Sequence, residues 1–198
     1  MSSLIKLSNL IDALNERIGR SAIWLVLVAV LISAINAVVR KAFSVSSNAF
    51  LEIQWYLFSG IFLLGAAYTL RHNEHVRIDV LSGRFSKPTQ HKIEIFGTLV
   101  FLLPLCAMMI WLSVPWFMQS FVSGEVSANA GGLTLWPAKL LVPIGFILLG
   151  LQGLSELIKR IAVLQGLIPD PTEQHNLPTA EENLIEEIRK MQEGNKNG

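Results

Sequence analysis

A helix needs about 20 apolar residues to cross the hydrocarbon core of a bilayer, and four segments of this chain meet that requirement: residues 21–39, 49–70, 93–118 and 139–158. Lipid offers no partners to backbone N–H and C=O groups, so spans of this length must pair them internally as helices. The sequence therefore predicts an all-α integral membrane protein with four transmembrane helices. Composition agrees, since 52% hydrophobic and 16% charged residues with a mean hydropathy of +0.48 are too apolar for an ordinary soluble domain of 198 residues. The first segment carries no charge and is bounded by Arg20 and by Arg40 and Lys41. A cleaved signal peptide is its rival reading, but such peptides have an apolar region of about 7 to 15 residues behind a short basic start. This segment is longer, and residues 1–20 precede it with a pattern of their own.

Basic residues near span ends stay cytoplasmic and set orientation. Lys6, Arg17 and Arg20 precede span one, Arg71, Arg77, Arg84, Lys87 and Lys92 lie between spans two and three, and Lys159 and Arg160 follow span four. The other side carries Arg40 and Lys41, with Lys139 at the lip of span four. Both termini are expected in the cytoplasm, with residues 119–138 facing outward as a flexible connector or, alternatively, as a contact surface.

Residues 1–20 place Leu7, Ile11, Leu14 and Ile18 at helical spacing, with Asp12, Asn15, Glu16 and Arg17 on other faces. That pattern predicts an amphipathic interfacial helix, able to lie on the membrane surface or against another helix. Residues 21–165 form the four-helix membrane domain, and residues 166–198 a tail. In the tail, Pro169, Pro171 and Pro178 interrupt the chain before a capping-box pattern at Thr179 to Glu182 opens a short amphipathic helix over about residues 180–191.

The chemistry these residues exclude is as informative. A net charge of +1 gives no electrostatic footprint for nucleic acid. Haem between helices needs axial ligands inside the spans, but His72, His75 and His91 lie in the loop and His175 in the tail. His72 and His75 with Glu74 do not have zinc-site spacing. Phosphate loops, nucleophile elbows and HExxH motifs do not occur. No cofactor or metal site is expected, and no enzymatic activity. Cys106, in an apolar run, reads as a small packed hydrophobe.

Ionisable groups deep in a span mark transport paths, because a charge at the bilayer centre costs at least about 2.5 to 3.5 kcal/mol. Glu52, Glu94 and Glu156 instead sit at span ends, where they are expected to stay hydrated. Glu52 shares a face with Trp55, Tyr56 and Ser59, so it reads either as a contact for a partner helix or as a carboxylate favoured by its helix N-terminus. Gly60, Gly65 and Ala66 in span two and Gly145, Gly150 and Gly153 in span four supply small faces for close helix approach. Four spans without a central charge make a poor solute path by themselves, and the chain is expected to support a path built by another protein.

Specific residues add a resemblance. Glu52 and Trp55 open span two; Leu64-Gly65-Ala66-Ala67-Tyr68-Thr69-Leu70-Arg71 leads into His75-Val76-Arg77-Ile78-Asp79; Leu135-Trp136-Pro137-Ala138-Lys139 leads into Pro143-Ile144-Gly145-Phe146. With four spans and both ends inside, this pattern resembles the small membrane subunit of tripartite ATP-independent periplasmic (TRAP) transporters, over most of residues 1–165. The resemblance implies a sodium-coupled secondary transporter for organic acids in the inner membrane. Its partners would be a periplasmic solute-binding protein and a large membrane subunit that holds the substrate and sodium sites. This chain would be the stationary scaffold against which the large subunit works.

On that reading Glu52, Trp55, Gly65, Arg71, His75, Arg77, Asp79, Trp136 and Pro137 are candidates for the partner interface or for setting topology. Arg71 can reach lipid phosphate or a helix C-terminus, and Asp79 can pair with Arg77 or Arg71; membrane lipid is the competing partner for the basic residues. Two other classes remain as alternatives, a membrane-anchor subunit of an oxidoreductase and an autonomous small transporter.

Overall fold

A computed structural model describes residues 2–44, 47–72 and 85–169. The described chain is helical: α1 spans Ser2–Phe43, α2 Asn48–Arg71, α3 Lys87–Gly97, α4 Leu103–Ser123 and α5 Trp136–Leu164, and a π-helical turn over Thr98–Leu102 joins α3 to α4 without a break. Four helical stretches are long and apolar enough to cross a membrane, and they contain the four expected spans. The short helix expected over about residues 180–191 lies outside the described residues, as do Glu74, His75, Arg77 and Asp79.

One boundary differs from expectation. Residues 1–20 and the first span are not two elements, because α1 runs unbroken through both for 42 residues. At 1.5 Å per residue it is about 63 Å long, twice the hydrocarbon thickness. No proline or glycine pair interrupts it, and the single Gly19 is needed for packing: a Cβ there would come within 2.5 Å of the Tyr68 side chain.

The ends of the other helices follow from local chemistry. Pro88 and Pro137 occupy the first turns of α3 and α5, where a missing N–H costs no hydrogen bond. Gly124 takes the left-handed conformation (φ 61°) that ends α4, and the Glu125 N–H then returns to the Ser120 carbonyl at 3.2 Å.

The helix α5 is the hub. It packs against α1, α2 and α4, and α1 and α2 also pack on each other, whereas α4 has no substantial contact with α1 or α2 among the described residues. Small residues permit the close approaches. A Cβ on Gly145 would lie 2.7 Å from Leu63 Cβ, and one on Gly153 2.9 Å from Leu102 Cδ2. Gly65, in contrast, has nothing within 4 Å of where its Cβ would be. The interior is polar as much as apolar: Ser8, Asn15, Gln152 and Ser155 are fully buried, while Trp24, Trp55, Phe62, Phe101 and Trp111 lie on the outside.

Candidate functional site

Two polar clusters occupy opposite ends of the bundle. The first lies where α2 and α5 finish. Ser8, Asp12 and Asn15 recur at i, i+4 and i+7 on α1, and Gln152, Ser155, Glu156 and Lys159 form a matching stripe on α5, so the two stripes meet face to face. Asn15 Nδ2 donates to Gln152 Oε1 at 2.7 Å, and Gln152 Nε2 donates to Asp12 Oδ1 at 3.0 Å. Ser155 Oγ donates to Asp12 Oδ1 at 2.6 Å and shares a 2.7 Å hydrogen bond with Ser8 Oγ. Lys159 Nζ lies 3.0 Å from Asp12 Oδ2 and also pairs with Glu156.

This pattern inverts the expected use of the lead-in. Its polar side faces inward and its leucines outward, with Leu4, Leu7, Leu10 and Leu14 exposed. The stripe read as apolar is split, since Ile11 is buried while Leu7 and Leu14 are not. The structure thus bears out packing against another helix, with the opposite face to the one hydropathy suggests.

At the same end Arg71 is turned toward the middle of α1, not toward a helix C-terminus. Its Nη1 donates to the Asp12 carbonyl at 2.8 Å and to Glu16 Oε2 at 2.7 Å, tying the end of α2 to α1. His72 Nε2 is 2.8 Å from the same Glu16 oxygen, and its ring stacks on Tyr68 with centroids 4.3 Å apart. Next to this, Arg160 of α5 pairs with Glu94 and lies 3.3 Å from the buried His91 ring, so the start of α3 is held to α5.

The second cluster centres on Glu52. Rather than staying hydrated or facing a partner helix, this carboxylate is 5% exposed and organises the loop between α4 and α5. It accepts from the Ser127 hydroxyl, from Asn129 Nδ2 at 2.8 Å and from the Leu133 N–H at 2.7 Å. Asn48 Nδ2 and the Tyr56 hydroxyl reach the Ala130 and Thr134 carbonyls at 3.2 and 2.9 Å. An antiparallel bridge between Val126 and Thr134 closes the loop. The expectation of a flexible connector is therefore corrected: one carboxylate satisfying three donors gives the loop a fixed shape. Glu156 likewise departs from the hydrated reading, being 8% exposed and paired.

Lys139, at the first turn of α5, pairs with Glu125 and lies over the Trp116 ring, 4.6 Å from its centroid. The Lys139 ammonium bonded to Glu125 holds that loop carboxyl below its ordinary value of 4.5. Trp136 packs edge-on to Phe121 at 5.4 Å, joining the start of α5 to the end of α4, and Pro137 follows it in the first helical turn. Trp55 points away from the bundle. Among the described residues, no group of three or more His, Cys, Asp and Glu side chains is placed to hold a metal ion.

The sequence reading missed Gln152, Ser155, Asn15 and Ser8 as a unit. The signal was present in the equal spacing of polar residues on α1 and α5, which only a pairing of the two helices makes visible.

Residues 29–163 match the family described as tripartite ATP-independent periplasmic transporters, DctQ component. The chain belongs to this family. The matched range runs from the middle of α1 to the last turn of α5, so it takes in α2 to α5 and the Glu52 loop, while Ser8, Asp12, Asn15 and Glu16 lie before it. A curated relative, the C4-dicarboxylate TRAP transporter small permease protein DctQ of Pseudomonas aeruginosa, is 29% identical over 107 residues, 53% of this chain. The chain spans about half the length of that relative (50%). Membership in the DctQ family makes this a small TRAP permease subunit, a multi-pass membrane protein and a transport component.

Proposed function

We propose that this chain is the scaffold subunit of a sodium-coupled TRAP transporter that takes up organic acids, C4-dicarboxylates being the class named for its Pseudomonas relative. The observation that carries this reading is the direction of burial. Polar side chains inside the bundle bind one another, in the α1–α5 stripe and around Glu52, while large apolar side chains such as Trp55, Phe58, Phe62 and Trp111 face outward. A solute path would need polar groups left to contact the cargo; a scaffold needs a rigid interior and an apolar exterior that a larger membrane subunit can cover. On this proposal sodium and substrate bind the large subunit, a periplasmic solute-binding protein delivers the cargo, both termini are cytoplasmic, and the Glu52 loop faces the periplasm.

The test is uptake in proteoliposomes. Dicarboxylate accumulation driven by an inward sodium gradient is expected when this chain, the large subunit and the binding protein are all present, and is expected to vanish when this chain is omitted. Accumulation by this chain alone would overturn the proposal.

A further inference from the structure

Beside the Arg71–Glu16 contact, α1 and the end of α2 enclose an open cleft of about 500 Å³ lined by Glu16, Arg17, Arg20, Ser21, Trp24 and Arg71. Arg17, Arg20 and Trp24 follow one another at i, i+3 and i+7, so they share a face of α1. Glu16 is the one acid among them, and it already accepts from Arg20 at 2.7 Å and from Arg71 at 2.7 Å. Among the described residues, three guanidinium groups against one carboxylate leave the cleft with an excess of positive charge, and no hydrogen bond or ion pair ties up the Arg17 side chain. Glu16 holds two of the arginines in place, a preorganisation that isolated surface cations lack.

Depth selects the ligand. The uncharged run of span one begins at Ser21, directly after Arg20, and the exposed indole of Trp24 lies one turn further along. An indole beneath a set of arginines at the start of a span lies at the level of lipid headgroups. Guanidinium forks match the oxygens of a phosphodiester, whereas the Ser21 hydroxyl beside them already donates to the Arg17 carbonyl at 2.9 Å.

We propose that this cleft binds the phosphate of an anionic phospholipid, with Arg17 and Arg20 on the phosphodiester and Trp24 against the glycerol and upper acyl chain. The site goes beyond the scaffold reading, because it requires this chain alone and stands whether or not uptake needs the subunit.

Native mass spectrometry of the full chain in detergent tests it, with phosphatidylglycerol, phosphatidylcholine and inorganic phosphate as probes. Phosphatidylglycerol is expected to bind more tightly than phosphatidylcholine, and Arg17→Gln/Arg20→Gln to weaken it at least about tenfold. Arg17→Gln, which breaks no hydrogen bond or ion pair among the described residues, should weaken it severalfold. Lys41→Gln, at the other end of α1, should leave it unchanged, and thermal melting followed by circular dichroism should report the same fold in all variants. Equal retention of the two lipids, or unchanged binding in the double variant, would overturn the site. Displacement of bound phosphatidylglycerol by millimolar inorganic phosphate would assign the cleft to a soluble anion and overturn the lipid.

Discussion

Glu52 shows how a single carboxylate can be legible in a sequence and still be misread. Its place in the first turns of span two marked it as unusual, and the structure makes it an internal clamp because the three donors it satisfies arrive from a loop some 75 to 81 positions later in the chain. No local pattern encodes that meeting. Glu52→Ala should leave the Leu133 N–H without its acceptor, so hydrogen exchange at Leu133 is expected to accelerate at least about tenfold while that of the α2 core stays protected. Glu125 provides a pH-dependent counterpart. Its folded pKa lies below the ordinary 4.5 because Lys139 bonds to the ionised form. The contribution is therefore present above about pH 4.5 and is lost as pH falls through the lowered value. A melting comparison of the wild type with Glu125→Gln should show a constant difference from pH 7 to 5 that closes at more acid pH.

Helix pairs obey stricter rules than hydropathy states. The four spans were legible because their length and composition are nearly sufficient evidence in a bilayer. The α1–α5 interface was not, because hydropathy assigns leucines to the inside, whereas here Leu4, Leu7, Leu10 and Leu14 are exposed and the polar stripe is buried with its donors and acceptors paired between the two helices. A double-mutant cycle on Asn15→Ala and Gln152→Ala should give a coupling of about 0.6 to 2 kcal/mol, the range of hydrogen bonds between membrane helices. Among the glycines, Gly145→Ala should destabilise by about 1 to 3 kcal/mol through contact with Leu63, whereas Gly65→Ala should be neutral. The π-helical turn has a similar logic. In an uninterrupted α-helix, at about 100° per residue, His91 and Glu94 would face some 70° away from Cys106, Ser113 and Ser120. The wider turn at Thr98–Leu102 takes up most of that rotation and lets both sets point at α5. Deleting Val100 should convert the turn to α-helix and be tolerated in a melting assay, while deleting Met109 from the regular part of α4 should not be.

The whole molecule is arranged around its last described helix. Topology of this kind was partly visible, since Gly145, Gly150 and Gly153 mark span four for close helix approach, but which helices it touches depends on long-range packing that no single segment records. Because α1 and α2 pack directly on each other, that pair can form as soon as both have been synthesised. Among the described residues α4 has no substantial early partner of this kind: its main neighbour is α5, which the ribosome makes afterwards. Assembly in the membrane is thus ordered by the gene itself, with a settled hairpin first, a helix left waiting in lipid, and a final strut whose arrival fastens the waiting helix and the hairpin in one step. A nascent chain stalled before residue 136 should accordingly expose α4 to quality-control proteolysis while its first two helices survive.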